Sequence, residues 1–177
     1  YTAGGNLVKQ ITKGNFEVKD FLGWDQANNT FYFTSNEGSP LRTAVYKIDA
    51  KGKKTKLSTQ EGSNSAIFSK NMKYFVNTYS SANIPPVITL NDNKGKVLTT
   101  LVDNQKLKQQ MSGLNMPSKE FFTFKTTDGV ELNGWIMKPA HFDTNKKYPV
   151  ILHQYSGPGS QQVLDRWGIG AMGNGGL

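Results

Sequence analysis

The chain has 177 residues, 36% of them hydrophobic and 11% aromatic, with a formal charge of +8. That suffices for one full domain or two partial ones of a turn-rich β protein, with no segment poor enough in apolar residues to read as disordered and no apolar run of membrane-spanning length. Cysteine is absent, which excludes disulfides, thiolate metal sites and a cysteine nucleophile, and with only His141 and His153 no histidine-rich metal site is expected.

The lysines gather at turn signals such as Lys51-Gly52-Lys53-Lys54 and Asn145-Lys146-Lys147. They form no stripe interleaved with aromatics, so the charge reads as solvated hairpin tips and not as a nucleic-acid surface. The polar start Tyr1–Asn6 has no apolar core of a signal peptide, which says nothing about a longer parent.

Asn6–Thr12 reads as the closing strand of an earlier unit. A repeat follows. Thr30–Ser35 matches Lys73–Thr78 at an offset of 43, Val45–Ile48 matches Val87–Leu90 at 42, the turn glycines Gly52 and Gly95 repeat at 43, and Leu57 and Leu101 at 44. Each unit reads as four short strands: Val18–Trp24, Thr30–Ser35, Thr43–Asp49 and Lys53–Ser58, then Ser65–Ser69, Lys73–Thr78, Pro86–Asn91 and Val97–Val102. Four strands in roughly 40–45 residues is the signature of a β-propeller blade. A blade cannot bury both faces alone, so the expectation is a parent that extends further toward the N-terminus.

After Val102 the pattern changes. Asp103-Asn104 is a candidate cap for a short helix over Gln105–Met111, ended near Gly113. Asn115–Ser118 is a linker-like break. Lys119–Thr126 and Val130–Met137, joined at Asp128-Gly129, form a hairpin ended by Pro139. Tyr148–His153 is a mostly apolar run, read as a strand buried on both faces with His153 packed in it, whereas His141 is read as a surface loop residue. The run enters the Gly/Pro loop Gln154–Gln161, and after Trp167 the sequence is glycine-rich, so the C-terminus is also expected to be truncated.

This order of features resembles the prolyl oligopeptidase family of serine peptidases, in its dipeptidyl peptidase IV branch. The likeness is carried by Gly14–Val18, Phe31–Glu37, Val45–Ile48, Asn115–Lys119, Pro139–Asp143, Lys146–Val150 and Tyr155-Ser156-Gly157-Pro158 with Ser160-Gln161. It covers nearly the whole chain. The resemblance implies a mainly β chain: the last blades of an eight-bladed β-propeller over residues 1–115, then the first strands of an α/β-hydrolase domain over 116–177.

It also implies a serine exopeptidase that releases dipeptides from peptide N-termini, preferring Pro or Ala at the penultimate position. Such an enzyme needs a Ser, Asp and His triad, with the Ser in Gly-x-Ser-x-Gly. That pattern is absent from these residues, and both histidines precede any place for it, so the chain alone is expected to be inactive. Acidic residues that bind the substrate's amino terminus are expected upstream of Tyr1. Glu17 and Glu37 are read as structural and solvent-facing.

Tyr155 is what remains of the active site, supported by Ser156, Gly157 and Pro158. From the residues alone it reads as a core aromatic with a satisfied hydroxyl; the resemblance makes it instead a donor to the transition-state oxyanion. The resemblance further implies no cofactor, peptide substrates, a homodimer and export to a bacterial periplasm. The alternative is a non-catalytic propeller module that binds a peptide or protein partner.

Overall fold

The structure is a computed structural model, and it describes residues 1–154, 157 and 160–168. It is mainly β. Ten strands occur among these residues: β1 (Val18–Asp25), β2 (Thr30–Ser35), β3 (Ala44–Asp49), β4 (Lys54–Lys56), β5 (Ser63–Phe68), β6 (Tyr74–Ser81), β7 (Ile84–Asp92), β8 (Val97–Val102), β9 (Lys119–Lys125) and β10 (Glu131–Met137). One helix, α1 (Gln105–Ser112), lies between β8 and β9. The chain forms two compact units. Unit 1 holds Tyr1–Tyr79 and Val87–Asp103; unit 2 holds Ser80–Pro86 and the chain from Asn104 onward.

Strands β1–β4 form one four-stranded meander, sheet A, and β5–β8 a second, sheet B. Pairing between neighbours in sheet A is antiparallel, with Phe31 opposite Ile48 and Phe33 opposite Tyr46. The two units of the sequence repeat are therefore two sheets of the same kind. The repeat extends to the turns. At the β3–β4 hairpin, Gly52 donates its N–H to the Asp49 carbonyl at 2.9 Å, and one oxygen of the Asp49 side chain receives the N–H groups of Lys51 and Lys53, each at 2.9 Å. At β7–β8 the same bonds recur 43 residues on: Gly95 to the Asp92 carbonyl at 3.0 Å, and Lys94 and Lys96 to the Asp92 carboxylate, each at 2.9 Å. The glycines have φ of 88° and 91°, the left-handed conformation that closes a three-residue hairpin loop without a Cβ clash.

The core of unit 1 lies between the sheets. Tyr32 and Val45 from sheet A, with Leu57 just after β4, pack with Ala66, Met72 and Phe75. Met72 ends the β5–β6 turn with φ of 55°, at the repeat position of Asn29 with φ of 47°. A left-handed backbone costs a non-glycine residue about 1–2 kcal/mol. Burying a methionine side chain returns about 1.5–3 kcal/mol, so burial wins. Asn29 instead uses its side chain at the surface, where Oδ1 receives the Trp24 indole N–H at 3.3 Å. The other face of sheet A carries Phe33, Ala44, Tyr46 and Ile48, with Ile11 and Phe31 packed against them.

Three expectations fail. Asn6–Thr12 is not a strand: it has no regular structure, and it is tied down by Ile11 packing and by Lys9, whose ammonium donates to the Ala50 carbonyl at 2.8 Å. Tyr148–His153 is not a buried strand. Val150, Ile151 and Leu152 are 85%, 82% and 90% exposed, and His153 is exposed as well. A doubly buried strand needs a paired strand on each edge and cover on both faces. Among the described residues the only sheet in unit 2 other than the tip of β6–β7 is the β9–β10 hairpin, and it pairs only with itself. Asn104 caps α1 by position but not by its side chain, which donates to the Pro86 carbonyl at 2.6 Å instead; its φ of 52° turns it away from the first helical N–H groups.

Candidate functional site

The sequence singles out the Gly/Pro loop after His153. Tyr155, Ser156 and Pro158 lie outside the described residues. Gly157 is half-buried, and its carbonyl receives the Ser160 N–H at 3.1 Å, closing one turn. The Gln162 side-chain amide then donates to Ser160 Oγ at 3.0 Å, and that of Gln161 to the Val163 carbonyl at 3.2 Å. These local bonds stiffen the chain that leaves the loop.

Beyond them, the segment is anchored far away in sequence. The strands β6 and β7 run longer than the sequence suggests, through Pro85 and Pro86, and meet at the two-residue turn Ala82-Asn83. The sequence pattern places the start of β7 at Pro86, two residues later than the observed start at Ile84. The extra length carries the hairpin tip into unit 2. There the Ala82 N–H donates to Asp165 Oδ1 at 2.9 Å, and the Trp167 N–H donates to Ser80 Oγ at 3.3 Å. Asp165 is 8% exposed and Ser80 is buried.

Asn83 completes the tip. Its Oδ1 receives the Lys119 N–H at 2.8 Å and its Nδ2 donates to the Lys119 carbonyl at 3.0 Å. The amide thus imitates a strand partner for the first residue of β9. The Lys119 ammonium sits 4.6 Å from the Trp135 ring centre, and burial holds it below the ordinary lysine value. Behind it, Phe122 lies across Gly134 in the β9–β10 pair so closely that an added Cβ would meet the ring at 2.5 Å. The hairpin closes with the same glycine turn as the two sheets, at Gly129 with φ of 85°.

Ser80, Asn83 and Asp165 escaped the sequence reading. No local pattern marks them, because the bonds span 36, 83 and 87 residues. The acids that the sequence assigns to structure behave so. Glu37 holds the Lys54 ammonium within 2.6 Å, and Glu17 pairs with Lys19 at 2.5 Å. His141 is an exposed loop residue with φ of 60°. Among the described residues no cluster of His, Asp and Glu is placed to hold a metal, and no helix is long and apolar enough to cross a membrane.

Two four-stranded antiparallel meanders of one repeat, followed by a two-stranded hairpin, define the class: a mainly β chain with blade-type sheets. The family model described as the dipeptidyl peptidase IV (DPP IV) N-terminal region matches residues 1–86. The chain is 38% identical over 165 residues to a probable dipeptidyl-aminopeptidase B of Podospora anserina, covering 90% of this chain and 18% of that protein. It is 31% identical to a probable dipeptidyl peptidase 4 of Aspergillus flavus, over 93% and 22% respectively. The crystal structure of Porphyromonas gingivalis dipeptidyl peptidase 4 superposes with a TM-score of 0.89 at 49% identity, over 94% of this chain and 24% of that one. A putative dipeptidyl aminopeptidase IV from Bacteroides ovatus gives a TM-score of 0.76 at 35% identity. The chain is thus similar to a portion of dipeptidyl peptidase IV family proteins over nine-tenths of its own length, and spans about a fifth of the length of these relatives.

Proposed function

We propose that this chain is part of a serine exopeptidase that removes dipeptides from peptide N-termini, with Pro or Ala preferred at the penultimate position. Residues 1–115 supply the last blades of an eight-bladed β-propeller, and 116–177 open an α/β-hydrolase domain. Tyr155 donates its phenolic hydrogen to the oxyanion, on a turn shaped by Ser156, Gly157 and Pro158. The nucleophile, base and orienting acid come from outside these 177 residues, so the chain alone is inactive. The full enzyme uses no cofactor, acts in the periplasm and forms a homodimer.

The observation that carries this reading is the 49% identity and TM-score of 0.89 to the P. gingivalis enzyme over 94% of the chain. The chemistry is consistent with it. A neutral O–H donor fixed in a water-poor cleft stabilises charge that develops only in the transition state, and so raises kcat.

The test is Tyr155→Phe in the full-length enzyme, assayed on a chromogenic Gly-Pro substrate. The expected loss is about 10²–10³-fold in kcat, with KM little changed. A variant with near wild-type kcat and a lowered melting temperature assigns the hydroxyl to a structural bond instead. The isolated chain should neither cleave the substrate nor react with a fluorophosphonate probe.

A further inference from the structure

Sheets A and B end in very different edge strands. The last strand of sheet A, β4, is the three-residue run Lys54-Thr55-Lys56. It is short and charged, the usual protection of a sheet edge against stray pairing. The last strand of sheet B, β8, has six residues, Val97-Leu98-Thr99-Thr100-Leu101-Val102, with no charge, proline or glycine among them. All six are exposed. β8 pairs with β7 along one side, and among the described residues no strand lies along the other. An open edge of this composition is a template for a further strand.

The order of residues in β8 indicates which strand fits. It reads the same in both directions. In an antiparallel pair about a twofold axis between Thr99 and Thr100, like therefore meets like. Val97 faces the partner's Val102, Leu98 the partner's Leu101 and Thr99 the partner's Thr100. A twofold interface requires this self-complementarity, and Thr–Thr and aliphatic cross-strand pairs stabilise a ladder. The flanking charges agree. Lys96 and Asp103 are both exposed, and in this register Lys96 faces the partner's Asp103 at each end. A slip of one residue in either direction sets Leu against Thr and parts the opposite charges. The two irregularities in the β7–β8 register fall at Leu98 and Leu101, equidistant from the axis, so they preserve the match.

We propose that β8 is a homodimerisation strand, which pairs antiparallel with β8 of a second copy about the Thr99–Thr100 centre. The proposal rests on the homodimer in the reading above and gives it a surface. It does not depend on the peptidase chemistry.

The experiment measures the mass of the full-length enzyme by light scattering over a dilution series. Leu98→Lys combined with Leu101→Lys sets like charges opposite each other in two cross-strand pairs. Both side chains are exposed, so the fold should stand while dimer dissociation rises about tenfold. Opposed Cβ atoms in such a ladder lie about 4.5–5.5 Å apart, close to disulfide distance. Thr99→Cys combined with Thr100→Cys should therefore give a disulfide-linked dimer under mild oxidation, beyond any seen in wild type, and either change alone should not. Should the lysine pair fail to fold, the cysteine comparison decides.

A wild-type enzyme that stays monomeric overturns this interface and the homodimer reading together. A dimer that the lysine pair leaves intact, or that two cysteines link no better than one, overturns this interface alone.

Discussion

Sheets A and B are built from one repeat yet live in different environments. Sheet A is covered twice, by sheet B on one face and by Ile11 on the other. Its inner strands β2 and β3 are accordingly buried almost along their length. Sheet B is covered on one face only. Phe75 on β6 is 1% exposed, whereas Ile67 on β5 is 78% exposed and every residue of β8 is exposed. The same four-strand pattern thus gives a closed layer or an open one according to what packs beside it. Repeat architectures behave this way because each unit contributes half of two interfaces and completes neither alone.

The largest test of this contrast sets the two faces of sheet B against each other. Phe75→Ala empties a core position between the sheets and should destabilise the chain by about 3–5 kcal/mol in urea unfolding. Ile67→Ala, on the open face, should change stability by less than about 0.5 kcal/mol. Equal costs would mean that both faces are covered in solution, and the contrast between the sheets would disappear.

A smaller effect compares the paired turn glycines. At Gly52 an added Cβ meets nothing within 4 Å, while at Gly95 it would stand 2.6 Å from the Leu57 carbonyl oxygen and 3.1 Å from its Cα. Gly52→Ala therefore bears only the left-handed backbone cost, about 1–2 kcal/mol. Gly95→Ala bears that cost and must also push the β7–β8 turn off rigid backbone, which adds about 1–3 kcal/mol. Melting temperatures of the two variants measured together decide the matter, and identical values would show that the turn does not seat on Leu57.

The smallest effect is in acid. Backbone N–H groups, that of Lys96 foremost, hold the Asp92 carboxyl below the usual range, and the Asn28 side chain does the same for Asp25. Lys56 and then Arg42 depress Glu61. A depressed carboxylate contributes stability that is present above its unfolded value of about 4 and is lost as pH falls through the folded value. Thermal stability should therefore be flat from neutral pH down to about 5 and decline below about 4. Asp92→Asn, which keeps an oxygen for the turn, should shallow that decline slightly. A steeper decline would reverse the sign assigned to Asp92.

Much of this molecule is legible in its sequence. The offset of 43 residues between Gly52 and Gly95 foretells two sheets and the bonds of their turns, because an Asp-x-Lys-Gly-Lys loop is closed by its own backbone and side chain. Alternating apolar residues foretell β2, β3 and the β9–β10 hairpin for the same reason: the information is local. The order of motifs is enough to suggest the family.

Other features depend on neighbours distant in sequence, and no local pattern contains them. Val150-Ile151-Leu152 has the composition of a buried strand, but burial requires partners, and among the described residues the run has none to pair with. Met72 takes a left-handed turn position that its own chemistry disfavours, because a core awaits its side chain. The bonds from Asp165 to Ala82 and from Trp167 to Ser80 exist only because the long β6–β7 hairpin brings together residues more than eighty apart. Sequence determined the local elements, since short-range hydrogen bonding and side-chain alternation suffice to build them. Tertiary structure alone decided which faces are buried and what holds Asp165 and Trp167, since those depend on surfaces meeting in space.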